Sequence, residues 1–255
     1  MEVHQAPSAT EPTPAASEAS LSPISRAVAI FSNPAGAWSG LRTKSQWWFP
    51  LILMALFGAG VAMALHDRAL LPTMTQQWER LVEDGRMTPE QLEQTEARMR
   101  SPAGVLLTSI PQVVIWPLMM AFLAAGVSFG VSFIVGTRLS FRHAFEVVCW
   151  SSLVLIPAQI VTGFLAWSKE TMTGIHLGFG ILVPQAEPPE KWQTGLASFL
   201  DAFGPFELWT LAVVILGATA LSGANRKSVT WVLVGLYLGL RLFMAALAAL
   251  FAPGA

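Results

Sequence analysis

Five apolar stretches, each close to the length that crosses a bilayer, leave this chain few folds to choose from. A hydrocarbon core about 30 Å thick takes a helix of about 20 apolar residues. Inside lipid that helix must satisfy its own backbone hydrogen bonds. The predicted fold class is therefore all-α: a polytopic membrane protein, a bundle of five transmembrane helices with a short extracytoplasmic helical excursion. The spans fall at about 47–65, 112–135, 145–167, 203–221 and 229–251, and the polar excursion at 73–101. Only 12% of residues are charged, against about a quarter in soluble domains. A net charge of −1 offers no basic surface for nucleic acid. The single cysteine, Cys149, excludes an intramolecular disulfide. The polar, acidic start lacks a basic region followed by a short apolar core, so the first span is expected to act as its own insertion signal.

Residues 1–22 are rich in Ala, Pro, Ser, Thr and Glu and read as a disordered tail. Residues 23–46 are expected to form juxtamembrane interfacial helices, with Ile24, Val28, Ile30 and Phe31 on one apolar face and Trp38 and Leu41 dipping into the interface. An irregular linker is the alternative, because that face is short. Trp47 and Trp48 mark headgroup level at the start of span one, and His66-Asp67-Arg68 is expected to end it. The excursion divides into two helices. The first carries Trp78, Leu81 and Val82 and stops at Gly85; the second opens at Thr88-Pro89-Glu90-Gln91, a capping-box pattern. Pro111 and Pro117 separate a short interfacial piece from span two, and Pro157 lies within span three. The stretch from Gly174 to Pro184 is apolar but too short to cross, so it is expected to be interfacial or re-entrant.

Chemistry-bearing motifs are scarce. Gly126-Val127-Ser128-Phe129-Gly130 matches the serine-hydrolase elbow literally, but that chemistry needs a strand, a turn and a helix, and here it lies within a span. Gly126 and Gly130 read better as a G-x-x-x-G packing pair, a spacing repeated by Gly235 and Gly239. The competing reading is that glycine is simply frequent in membrane helices. His4, His66, His143 and His176 lack metal-ligand spacing, and no cofactor or catalytic constellation is present. Two charges fall inside spans: Glu207 in span four and Arg241 in span five. Each costs about 2.5–3.5 kcal/mol at a helix centre on translocon scales. They are a candidate intramembrane ion pair locking two helices or, alternatively, separate residues of a pathway. Both project to the outer half of the bilayer.

The order of these segments resembles the Yip1 family of membrane proteins from about Pro23 to Phe251. Asn33-Pro34 precedes span one, Met87-Thr88-Pro89-Glu90-Gln91 follows it, and Leu139-Ser140-Phe141-Arg142-His143-Ala144 sits before span three. The loop from Leu177 to Pro184 precedes Phe199-Leu200-Asp201-Ala202-Phe203, and Leu208-Trp209 opens span four. The resemblance implies a five-helix bundle with a cytoplasmic N-terminus, and the compact chain resembles the bacterial members. Eukaryotic relatives act in vesicle traffic and bind small Rab-type GTPases through an Asp-Leu-Tyr-Gly-Pro signature near the first span. Here the similar Asp201-Ala202-Phe203-Gly204-Pro205 precedes span four. The signature is therefore not carried over, which counts against small-GTPase binding.

Two functional readings follow. The first is a non-enzymatic scaffold or accessory subunit in an envelope or membrane-transport process of the bacterial inner membrane. Its partners would be the lipid bilayer and other membrane proteins or further copies of the chain. The second is a small transporter or channel using Glu207 and Arg241. A membrane enzyme has almost no residue support. Arg138 with Arg142, and Arg226 with Lys227, occupy short acid-free loops and place those loops in the cytoplasm. With Cys149 replaced, a single cysteine near Glu83 should react with an impermeant thiol reagent added outside, and one near Arg226 should not. The opposite pattern would invert the topology.

Overall fold

The computed structural model describes residues 20–184 and 190–252. The first nineteen residues of the expected tail lie outside them. Among the described residues the secondary structure is helical, and five runs are long and apolar enough to cross a membrane: Trp48–Glu83, Pro102–Ile134, Phe141–Lys169, Pro205–Ser222 and Arg226–Phe251. They comprise α2 (Trp48–Leu65) with α3 (Leu71–Glu83), α5 (Pro102–Leu107) with α6 (Trp116–Phe129), α7 (Phe141–Ser151) with α8 (Leu155–Lys169), α10 (Pro205–Ser222) and α11 (Arg226–Phe251). Outside the spans, α1 (Pro23–Ser32) precedes α2, α4 (Pro89–Arg100) follows α3, and α9 (Lys191–Asp201) precedes α10. Successive crossings alternate in direction. One end of the bundle therefore carries α1 and the other carries the α3–α4 hairpin.

His66-Asp67-Arg68 does not terminate the first helix as expected. A π turn, His66–Leu70, carries it on into α3. The polar triplet has partners on neighbouring elements. His66 is buried and its Nε2 lies 3.0 Å from the Met99 carbonyl. Arg68 donates to the Trp167 carbonyl, lies over the Trp167 ring and pairs with Glu170 at 3.0 Å. A second π turn, Pro111–Ile115, absorbs the donor missing at Pro111 without breaking the second run. The capping box of α4 forms as its sequence dictates: the Gln91 amide donates to Thr88 Oγ1, and the Thr88 amide donates to Gln91 Oε1.

The largest departure lies before span one. Trp38 and Leu41 sit in the protein core, not at the membrane interface. Gly217 of α10 makes this possible: a methyl placed on it would come within 2.7 Å of the Trp38 ring. Helix α1 is docked on the bundle through Ile30 and Arg26, both 0% exposed, while Ile24 and Val28 on its other side are 70% and 61% exposed. Arg26 Nε donates to Gln46 Oε1 at 3.0 Å, its terminal nitrogens reach the Ala37 and Ser39 carbonyls, and its guanidinium lies over the Trp150 ring. Fully buried Glu146 of α7 accepts from Ser45 Oγ, the Gln46 amide and Trp150 Nε1. Gln46 thus bridges a buried cation and a buried anion. Burial pulls the Arg26 guanidinium below its ordinary pKa, and the Glu146 charge opposes that shift.

Removing one member of such a network leaves the other charge without compensation, at about 3–5 kcal/mol. Arg26→Leu and Glu146→Leu should each lower the melting temperature in detergent sharply, and the double variant should lose less than the sum. Additive losses in the cycle would show that the two charges are not coupled.

Candidate functional site

The residues before α10 build a feature that the hydropathy pattern did not announce. Glu190 and Gln193 form a capping box, with the Glu190 amide donating to Gln193 Oε1 at 2.9 Å, and this starts α9. The helix packs along the far end of α11. A methyl on Gly195 would meet the Ala249 side chain at 2.9 Å and the Ala245 carbonyl at 3.1 Å. After Asp201 the chain turns, held by Phe203 N–H on the Leu200 carbonyl and Gly204 N–H on the Asp201 carbonyl. Tyr237 of α11 donates its hydroxyl to the Ala202 carbonyl at 2.5 Å. Pro205, which has no amide proton to lose, then opens α10. The fourth crossing is therefore preceded by a helical piece on the same neighbour, and a break separates the two. That break is Asp201-Ala202-Phe203-Gly204-Pro205.

The short apolar stretch from Gly174 to Pro184 packs on this break. His176 Nδ1 lies 2.7 Å from Asp201 Oδ2. Gly178 and Gly180 press against Asp201: a methyl on Gly178 would come within 2.7 Å of its Cα, and one on Gly180 within 2.5 Å of its Oδ1. A 3-10 turn, Phe179–Leu182, completes the cover.

Glu207 lies in the first turn of α10. It is folded back on Gly204, so that its carboxylate meets the positive end of the helix dipole, a contribution of about 0.3–1 kcal/mol at exposed sites. Asp201 Oδ1 and Glu207 Oε2 are buried atoms with no hydrogen-bond partner among the described residues. Both side chains line a cavity of about 540 Å³. Its remaining wall is mostly apolar, with Gly58, Ala62 and Leu65 of α2 and Ala158 of α8; Thr108, Gln112, Gln159 and Thr162 are its polar exceptions. Two of the π turns flank it, since Leu70 and Gln112 are on its wall. A neighbouring cavity of about 380 Å³ lies on the other side of Asp201 and holds Arg241, His176 and Gln193.

Glu207 and Arg241 are not joined in a salt bridge; the ion pairs among the described residues lie elsewhere. The physical reason is direction, not depth. Arg241 faces the smaller cavity with its guanidinium over the Tyr237 ring, 5.2 Å from the centroid, whereas Glu207 faces the larger one. Of the four candidate packing glycines, Gly130 makes a close approach, with Leu236 and Val232 of α11 at 2.5 and 3.1 Å from an added methyl. Gly126, Gly235 and Gly239 face open space. Comparably close contacts are made by Gly217 on Trp38 and Gly58 on Gln112, which the G-x-x-x-G spacing does not mark. Ser128 of the elbow-like motif donates to the Leu139 carbonyl, beside Ser132 doing the same. Sequence reasoning missed Asp201, His176, Gln112 and Gln159 as site residues; the available signal was an acid three residues before Gly204-Pro205.

Compared with known proteins, the chain matches the family described as the Yip1 domain over residues 28–249. Neither a curated protein nor a solved structure matches it.

The geometry couples Arg241 to Tyr237 and not directly to Glu207. A double-mutant cycle of Arg241→Gln with Tyr237→Leu, read by melting in detergent, should show a coupling of about 0.5–2 kcal/mol. The cycle of Arg241→Gln with Glu207→Gln should show a smaller coupling, because the two charges share Tyr237 without touching each other. A larger coupling in the second cycle would restore the direct pair.

Proposed function

This chain belongs to the Yip1 family of membrane proteins, and on that footing we propose that it is a non-enzymatic, multi-pass protein of the bacterial cytoplasmic membrane that admits a ligand into its bundle, as a small transporter or ligand-binding accessory subunit does. The N-terminus is cytoplasmic in this reading, so the α3–α4 hairpin and the carboxylates of the break lie toward the outside. One observation carries it. The larger cavity runs from Asp201 and Glu207 at the break to Gly58 of α2. Gly58 lies about 15 Å along the helix from Trp48, close to the middle of a core about 30 Å thick. A helix break with polar groups beside a half-depth cavity is the arrangement transport sites use. Its volume is that of a ligand site, about 300–1,000 Å³.

The scaffold reading is favoured by a different surface. Trp231, Gly235, Leu238, Gly239 and Leu242 form an exposed stripe along α11, where the two open glycines leave room for another helix.

Accessibility separates the two. In a Cys149→Ala background, Thr162→Cys on the cavity wall should react with a water-soluble methanethiosulfonate reagent. Phe164→Cys, on the exposed apolar face of the same helix, should not, because a thiol in hydrocarbon stays protonated. If both remain unreactive, the cavity is sealed from water and the scaffold reading stands alone.

A further inference from the structure

The ligand class follows from how charge and apolar surface are distributed on the cavity wall, and this step rests on the ligand-binding reading above. We propose that the larger cavity takes a cationic amphiphile: a primary ammonium head held by Asp201 and Glu207, with an alkyl tail laid along α2 and α8 toward Gly58.

Among the residues that line the cavity are two carboxylates and no Lys, Arg or His. Two basic side chains close to the break are engaged elsewhere. His176 contacts the opposite oxygen of Asp201, and Arg241 lies in the adjoining cavity. An anionic head would therefore lie against two carboxylates with no basic side chain on the same wall to receive it. A neutral head would leave Asp201 Oδ1 and Glu207 Oε2 with too few donors, although both atoms are buried and lack a partner among the described residues. An ammonium brings three N–H donors and one positive charge to two acceptors. A quaternary ammonium brings the charge without the donors and is the poorer match.

The wall is graded the same way as such a molecule. The carboxylates sit at the break, toward the hairpin end of the bundle. Beyond them the lining passes through Leu65, Ala62 and Ala158 to Gly58. An amphiphile in a bilayer keeps its head at the interface and its tail toward the midplane, so the ligand can enter without turning over.

The test uses the full chain with Cys149→Ala and Thr162→Cys in lipid nanodiscs, and reads the rate of methanethiosulfonate labelling at pH 7. Dodecylammonium should slow labelling at least about tenfold. Dodecanol and dodecyltrimethylammonium at matched membrane concentration should protect far less. Glu207→Gln and Asp201→Asn should each raise the dodecylammonium concentration for half-protection by about tenfold, and Glu207→Asp should restore most of it. Each variant must elute as the parent does and label at the parent rate without ligand. Equal protection by dodecanol, or protection indifferent to both carboxylate variants, would overturn the ammonium site while leaving ligand binding intact. A Thr162→Cys thiol that never labels would instead overturn the ligand-binding reading on which this proposal rests.

Discussion

A backbone that stops being helical leaves N–H and C=O groups that need partners outside the helix. The arrangement around Asp201 answers that constraint. The last turn of α9 closes on itself through the Ala202, Phe203 and Gly204 amides. Tyr237 supplies a hydroxyl to the Ala202 carbonyl. The first orphan donor of α10 is removed by placing proline there, and Glu207 lies against the helix start. What remains is covered by the Gly174–Pro184 stretch, whose glycines allow it to lie directly on Asp201. The apolar segment that is too short to cross and the Asp-x-x-Gly-Pro turn are thus one device, contributed by two parts of the chain.

Charge is handled by the same economy at the other end of the bundle. Arg26 and Glu146 are both fully buried, yet they do not touch; Gln46 stands between them with its side chain on the cation and its amide on the anion. Backbone carbonyls at Ala37 and Ser39 and the face of Trp150 fill the remaining coordination of Arg26. The consequence is architectural: the segment before span one becomes part of the core, and Trp38 can seat against Gly217. Buried ions of this kind add little net stability compared with apolar residues, but they penalise any arrangement that separates them.

Much of the fold was legible because a bilayer imposes length and composition on whatever crosses it. The five runs lie close to where hydropathy places them, and Thr88-Pro89-Glu90-Gln91 caps its helix by local chemistry alone. Features set by tertiary contacts were not legible. Nothing local distinguishes Trp38 seated on Gly217 from a tryptophan at the headgroups. Helix α9 begins with a Glu190 cap, outside the usual Ser, Thr, Asp and Asn, and is only eleven residues long. The Glu207–Arg241 pairing was inferred from equal depth along two antiparallel helices. Depth fixes one coordinate, and the direction in which each side chain leaves its helix is the other. Arg241 shares a face of α11 with Tyr237, one turn earlier, and its side chain enters the smaller cavity whereas Glu207 lines the larger one.

That separation gives the two sides of the break different electrostatic character. With Glu207 and Arg241 joined, their charges would cancel and the region would be a structural clamp. Held apart, Asp201 becomes the wall between an acidic, largely apolar cavity and a polar one containing a guanidinium. One oxygen of each carboxylate is then left without a partner among the described residues beside the larger cavity, while the other oxygen of Asp201 stays on His176. A protein that needed only rigidity at this point could have closed the helix and saved itself two desolvated oxygens. The break, the two carboxylate oxygens without a hydrogen-bond partner among the described residues and the half-depth apolar cavity make sense together if an external cation meets those oxygens.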